Sequence, residues 1–214
     1  MITVHHLENS RSHRILWLLE ELDLDYQVRL YKRRASMAAP PELKKIHPLG
    51  KSPVLEDELA AETIVLIETG AICEYLVRRA CGRLGEPANA RDAISYRQYM
   101  HYAEGSVMPV LFAILVASKI PLLGGMAVKR LKPMLDVHLD FIEQELRKRP
   151  WFAGETFTAA DVMMSFPLEA ARYRGGLGTS RSATTRWLNV IRERPAYQRA
   201  LARGGPYRFA DRKE

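Results

Sequence analysis

Apolar and polar positions divide the chain into two stretches of different rhythm. Residues 2–7 alternate weakly within an apolar run and read as a strand. Ser12–Leu22 reads as a helix, with Ile15, Leu18, Leu19 and Leu22 at the spacing of one face. Gln27–Tyr31 reads as a second strand, followed by a helix and loop around Pro40–Ile46 and short strands at Pro53–Leu55 and Thr63–Ile67. A helix opens at Glu68 and turns Ile72, Tyr75 and Leu76 inward. Strand, helix, strand, two short strands and a closing helix make a small α/β unit, its first crossover right-handed.

The segment from Cys81 to Pro87 breaks the periodicity and reads as a linker. Beyond it the pattern is helical throughout. Ala90–Ser118 carries Tyr96, Tyr99, Ala103, Val107, Val110 and Ile114 on one face, with a kink expected at Pro109. Gly125–Arg149 is a second long helix, bounded by Gly124-Gly125 and Pro150. Thr158 and Asp161 have capping-box spacing ahead of Val162, Met163 and Phe166. Ser180–Glu193 forms another helix and ends at Arg194-Pro195. The expected partition is an α/β domain over 1–80, a linker over 81–89 and an all-α bundle over 90–214.

Composition narrows the class. With 214 residues and 47% apolar content, the chain can build one or two real cores. The run Val107–Ser118 is interrupted by Pro109 and is too short to cross a membrane. Met1 leads straight into Ile2-Thr3-Val4, without the pattern of a secretory leader. Cys73 and Cys81 form no C-x-x-C, which argues against a disulfide framework and a thioredoxin-type dithiol, so a cytoplasmic location is the expectation. The net charge of +7 is uneven: residues 147–214 hold 14 Lys/Arg against 6 Asp/Glu. These arginines are dispersed with little aromatic interleaving, so they read as a solvated surface rather than a nucleic-acid site. His5 and His6 are adjacent in a strand and point to opposite faces, a structural arrangement rather than a metal site.

Candidate chemistry gathers around Leu49-Gly50-Lys51-Ser52-Pro53-Val54 and Glu68-Thr69-Gly70. A proline cannot donate to a strand ladder and belongs at a strand's first residue or edge. Ser52-Pro53 is a candidate cis bond, because X-Pro amides have only a small trans preference. Such a bond turns the N–H and C=O of Val54 outward, and a free strand edge there would clamp the backbone of a small peptide. Glu68 and Thr69 add a carboxylate, a hydroxyl and helix-start N–H groups. Together they can hold an amino acid by both ends. Ser10 and Ser12, ahead of the first helix, also read as ordinary N-caps.

These residues resemble the cytosolic glutathione transferase family over essentially the whole chain. The carriers are Asn9 through Leu22, Ala39 through Lys44, His47 through Val54, Glu68 through Ile72, and Phe157 through Asp161. The Asn-Ser-Arg-Ser first loop is similar to that of a bacterial and fungal serine-type branch. The resemblance implies a thioredoxin-like N-terminal domain carrying the glutathione site, an all-α helical-bundle C-terminal domain, and a homodimer. It implies glutathione as co-substrate with a small hydrophobic electrophile as the second substrate, and no metal. Position by position, Pro53 matches the family's cis-proline and Val54 the residue whose backbone meets the cysteinyl part of glutathione. Glu68 and Thr69 match the pair on the γ-glutamyl end, and Lys51 or His47 would meet the glycyl carboxylate. Ser10, four residues before Arg14, matches the thiol-activating serine, with Ser12 as the other candidate and Arg14 as a packing or salt-bridge residue. Tyr99, Met108 and Phe112 would border the electrophile pocket, and Glu104 would reach a ligand or a dimer partner. Two other readings stand beside conjugation: a non-catalytic assembly module of the same fold, and a glutathione-dependent peroxidase.

Overall fold

All six residues of the first strand, β1 (Ile2–Leu7), are buried, and β1 has a neighbour on each edge. The computed structural model describes residues 1–174 and 176–210. β1 is followed by α1 (His13–Glu21), β2 (Tyr26–Tyr31), the short α2 (Leu43–Ile46), β3 (Val54–Glu58), β4 (Thr63–Ile67) and α3 (Thr69–Arg79). The sheet order is β2-β1-β3-β4, with β1 parallel to β2 and antiparallel to β3, and β3 antiparallel to β4. This is the α/β half that the sequence pattern predicts.

β3 runs three residues further than the apolar pattern indicates, through Glu56-Asp57-Glu58. The reason is that Asp57 is a buried charge with partners. It accepts from Tyr75 Oη at 2.7 Å and Arg79 Nε at 3.1 Å, and the N-terminal ammonium lies 3.6 Å from its other oxygen. Tyr75 is accordingly only half-buried, with its ring reaching along the sheet; Ile72, Cys73, Leu76 and Val77 fill the inner face of α3 instead.

The chain forms two compact units, one comprising Met1–Gly85 with Arg192–Ala210, the other Glu86–Ile191. The division falls between Gly85 and Glu86, and residues 192–210 group with the first unit although they follow the second in sequence. Helix α9 (Pro195–Gly204) belongs to the first unit and packs on α1. Tyr197 sets its ring edge-on to Trp17 at 5.2 Å and to His13 at 5.1 Å. Arg194 forks onto Glu21 with bonds of 2.6 and 2.8 Å, while Arg199 and Arg203 reach Glu20. Arg203 also stacks over Tyr26, 3.8 Å from the ring centre. These arginines of the basic C-terminal third are therefore not simply solvated. They complement the acidic end of α1, in the bidentate geometry that a guanidinium favours.

In the second unit, α4 (Ala90–Tyr102) and α5 (Met108–Ala117) are joined by a π-helical turn at Ala103–Val107. The turn stands where a proline kink is expected. It precedes Pro109, which lacks the N–H an α-helix would direct to the carbonyl of Gly105. A π turn inserts an additional residue, so the inward register slips by one. Met108 and Leu111 are buried, while Val110 and Ile114 are only half-buried. The joined rod, 90–117, is the one described helix long and apolar enough to cross a membrane by length and composition, although no single apolar run predicts it. A third of its apolar window (33%) is buried within the protein.

Three further helices complete this unit: α6 (Gly124–Lys148), α7 (Ala159–Tyr173) and α8 (Ser182–Glu193). The capping box forms as its spacing predicts: Asp161 Oδ2 accepts from Thr158 N at 2.9 Å, and Asp161 Oδ1 also accepts from Phe152 N at 3.0 Å. Glu143 of α6 takes the N–H groups of Ala183 and Thr184 at 3.0 and 2.8 Å, capping α8 from another helix. Desolvation raises the pKa of this carboxyl, but those bonds and Arg147 outweigh it and hold the group below its ordinary range.

Candidate functional site

The loop that follows β1 begins with Asn9 in the left-handed region (φ 53°), which turns the chain so that Ser10 and Ser12 both face inward. Ser12 lies at the position before α1 but does not cap it; its side chain makes no bond to the helix N–H groups. Its hydroxyl instead meets His6 Nδ1 at 2.8 Å, Ser10 Oγ at 2.7 Å and the backbone N–H of Leu7 at 3.2 Å. The N-cap reading of Ser12 therefore fails because β1 offers its hydroxyl better partners than the helix does.

Proton directions in this cluster follow from its far end. His6 bonds the backbone of Gly204 at the end of α9, with Nε2 facing that residue. A carbonyl only accepts, so Nε2 carries the ring proton and Nδ1 is a bare acceptor. Burial, opposed by the Gly204 bond and the Glu8 charge, lowers the His6 pKa to about 4, so the ring is neutral. The Ser12 proton then goes to Nδ1, and Ser12 Oγ accepts the proton of Ser10. Ser10 Oγ in turn accepts from the N–H of Ser12 at 3.2 Å. Ser12 is saturated. Ser10 keeps one proton, which it can redirect.

Ser52-Pro53 is cis, as the sequence predicts. Ser52 Oγ donates to the carbonyl of His5 at 2.8 Å and accepts from Leu7 N at 3.2 Å. Leu7 N–H is thus shared between Ser12 and Ser52, which ties the serine loop to the proline loop through one backbone group. Pro53 and Val54 are buried behind this tie. The free-edge expectation does not hold, because β3 is an interior strand and Val54 stands in register with His5 on one side and Ile67 on the other. In an antiparallel ladder a residue directs its N–H and C=O to one neighbour only, so a clamp at Val54 is an opening at the strand's first residue rather than along an edge.

Glu68 precedes α3 with φ 67° and ψ 120°, a conformation costly for a residue with a side chain, and it is exposed. Such conformations cost about 1–3 kcal/mol and gather at functional sites. Thr69, the next residue, is buried, and its Oγ1 accepts from Arg14 Nη2 at 3.3 Å. Arg14 is wholly buried in α1. Lys51 is exposed beside Ser52, and His47 is half-exposed at the end of α2, its ring nitrogen 3.4 Å from Leu49 N. The sequence-predicted residues of the first unit thus fall on the loops at the ends of β1, β3 and β4. His6, Ser52 and Gly204 also belong to this cluster. Nothing in the local sequence marks their roles, except that Ser52 precedes the proline.

Of the three residues expected around the electrophile, two are buried in the core and one is exposed. Tyr99 is fully buried in the second unit, with Phe152 at 4.7 Å and Tyr102 at 6.0 Å between ring centres. Met108 is likewise a core residue, displaced inward by the π turn. Only Phe112 is open to solvent, at 58% exposure. Helical spacing alone does not separate a pocket wall from a packing face. Glu104 lies within the π turn and is half-buried.

A buried serine with one redirectable proton, a cis-proline loop tied to it and a strained acidic residue before a helix can together receive a small anionic thiol. Comparison with known proteins agrees in both halves of the chain. The glutathione S-transferase N-terminal domain matches residues 1–78, and the glutathione S-transferase C-terminal domain matches residues 126–193. Glutathione S-transferase 3 of Schizosaccharomyces pombe is 36% identical over 211 residues, covering 92% of this chain and 85% of its own. Glutathione S-transferase 1 of Saccharomyces cerevisiae is 34% identical over 218 residues, covering 92% of each. The crystal structure of a glutathione S-transferase from Actinobacillus pleuropneumoniae has a TM-score of 0.79 at 35% identity, covering 95% of this chain and 93% of that one. With both domains matched and relatives above one-third identity along most of its length, the chain belongs to the glutathione S-transferase family.

Proposed function

We propose that this protein activates the thiol of glutathione at Ser10 and transfers it to a small hydrophobic electrophile, acting as a homodimer. The observation that carries this reading is the Leu7 N–H shared by Ser12 and Ser52, which fixes the Ser10 loop against the cis-proline loop. The backbone of Val54 takes the cysteinyl segment. Glu68 takes the γ-glutamyl ammonium and Thr69 its carboxylate, while Lys51 and His47 face the glycyl carboxylate. Pro53 sets the direction of the chain into Val54.

A free thiol has a pKa near ~8.5 and is mostly protonated at neutral pH. A hydroxyl donated to the thiolate is a charge-assisted bond worth about 1.5–3 kcal/mol, which favours the anion by roughly one to two pKa units. Ser10 can supply it by turning its proton from Ser12 Oγ to the sulfur, while the Ser12 N–H continues to hold its oxygen. Ser12, saturated by Leu7 and His6, supports Ser10 rather than touching the thiol. The thiol proton leaves to solvent, and the thiolate attacks the electrophilic atom and forms the carbon–sulfur bond. The leaving group departs with the displaced electron pair, or the adduct takes a proton from water. The protein supplies proximity and a stabilised nucleophile.

Steady-state kinetics of Ser10→Ala against glutathione and a soluble aryl halide test this assignment. The expected result is a kcat lowered at least tenfold with the KM for glutathione changed less than threefold. Unchanged kcat would overturn the role of Ser10.

A further inference from the structure

The turn between α5 and α6, residues 118–123, carries a concentration of exposed apolar side chains that the glutathione reading does not use. Sixteen large hydrophobic residues are exposed among the described residues, and seven of them fall between positions 116 and 137. The turn itself contributes Ile120, Leu122 and Leu123, flanked by Val116 and Met126. Leu122 is the extreme case. Its side chain is completely open to solvent, and its backbone sits in the left-handed region at φ 62°, where glycine or asparagine is cheaper. A leucine that is both strained and solvated contributes nothing to the fold that carries it. Gly124 supports the turn from behind: a Cβ there would lie 2.6 Å from the carbonyl of Ala117, so only glycine lets the two helices meet this tightly.

Charge around the turn selects what it can meet. From Gly105 to Leu135 the chain contains no Asp or Glu, while Lys119, Lys129, Arg130 and Lys132 are all exposed. A second copy of this surface would bring the same uncompensated cations against these, which disfavours self-association. An apolar tip with a cationic collar and no acidic residue complements an anionic lipid surface, where the apolar side chains enter the acyl boundary and the cations meet the headgroups. We propose that the α5–α6 turn docks this protein onto anionic membrane surfaces, with Leu122 as the inserted wedge. The contact is peripheral, since the tip is a turn and not a span.

Vesicle flotation of the full-length protein tests the proposal, using phosphatidylcholine alone and phosphatidylcholine with phosphatidylserine in equal parts, at low and high salt. The informative variant is Leu122→Gly, which removes the wedge and relieves the backbone, so it is expected to fold at least as stably as the parent. The expected result is binding to the phosphatidylserine vesicles that weakens with salt, with affinity reduced about tenfold in Leu122→Gly and an unchanged thermal midpoint. Three outcomes overturn the proposal. These are no binding to anionic vesicles at low salt, equal binding by Leu122→Gly, or a lipid-free dimer of the parent that Leu122→Gly dissociates, which would make the tip a contact between copies. Turnover of a soluble electrophile serves as the internal control, because Leu122 is not among the residues proposed to hold glutathione or the electrophile.

Discussion

Arg14 Nη2 donates to Thr69 Oγ1 at 3.3 Å, both residues being buried, so a guanidinium in the first turn of α1 holds the first residue of α3. Fifty-five positions separate them in sequence. The bond joins the helix that follows Ser10 to the segment that carries Glu68. Sequence reasoning treats Arg14 as a packing or salt-bridge residue; it is buried, and its head also holds the hydroxyl of Thr69. A buried arginine costs desolvation that only specific partners offset.

Thr69→Val keeps the shape and removes the acceptor. The loss of one buried bond to a charged donor is expected to cost about 1–3 kcal/mol in urea unfolding. It should also raise the KM for glutathione several-fold while kcat changes little, because Thr69 binds rather than activates. Thr69→Ser, which restores the oxygen, should recover both quantities. A KM unchanged in Thr69→Val, measured beside a clear stability loss, would limit the residue to a structural role.

Ser10 and Ser12 lie 2.7 Å apart, and their variants should separate cleanly. Ser12→Ala leaves His6 Nδ1 without its donor and weakens the hold on Leu7 N–H, so about 1–3 kcal/mol of stability is lost. Ser10→Ala removes the hydroxyl with fewer partners in this buried cluster and should cost less than Ser12→Ala in the same urea titration. Equal stability of the two variants would contradict the proton directions derived from Gly204 and His6.

Acid should weaken this protein through its buried histidines. Desolvation by burial lowers His6 to about 4 and His13 to about 3, the latter also through the nearby His6. His13 stacks on Tyr207 at 4.2 Å and its Nε2 has no partner. For both groups the unfolded chain binds more protons between the folded value and the ordinary 6.5. Their contribution is therefore complete above that pH and is lost as pH falls toward the folded values. Asp161 acts in the opposite sense: burial raises it to about 6, so its contribution is full below its ordinary 3.8 and fades as pH rises through 6. The two histidines outweigh it, and the unfolding free energy near pH ~5 is expected to be about 2–3 kcal/mol below that near pH ~7.5. His13→Phe keeps the stacked ring and should remove much of this slope. A slope unchanged in that variant would assign the acid sensitivity elsewhere.

Much of the fold was legible because its signals are local. The capping box at Thr158 and Asp161, the cis bond before Pro53 and the apolar face of α1 each depend on residues close in sequence. What stayed hidden depends on distant partners. The acidic end of β3 is a strand because Tyr75, Arg79 and the N-terminus meet Asp57. Helix α9 carries its own marks, Pro195 at its start and Gly204-Gly205 at its end, and buries Ala196, Tyr197 and Ala200, but its place on α1 rests on His13, Trp17, Glu20 and Glu21, all distant in sequence. The slip in α5 follows from one π turn, which no heptad or 3.6-residue template anticipates. Among the candidate residues, Ser10 lies in the loop before α1, and Glu68 and Thr69 lie at the start of α3, positions that helix and strand spacing already indicate. For Tyr99, Met108 and Phe112 the sequence could not separate burial from exposure, because side chains that line a pocket and side chains that fill a core share one spacing.

The return of α9 to the first unit has a consequence for how the protein is made. A chain emerges from the ribosome N-terminus first, and domains fold as their residues become available. β1, α1 and the serine loop are synthesised early, but the backbone group that orients His6 belongs to Gly204, which is made long after them. Until that stretch emerges, His6 lacks its acceptor and the aromatic cover that Tyr197 and Tyr207 give His13 is missing. The serine loop is thus completed by a contact from far downstream, and a nascent chain holding every motif of the first eighty residues still awaits its proton-setting contact.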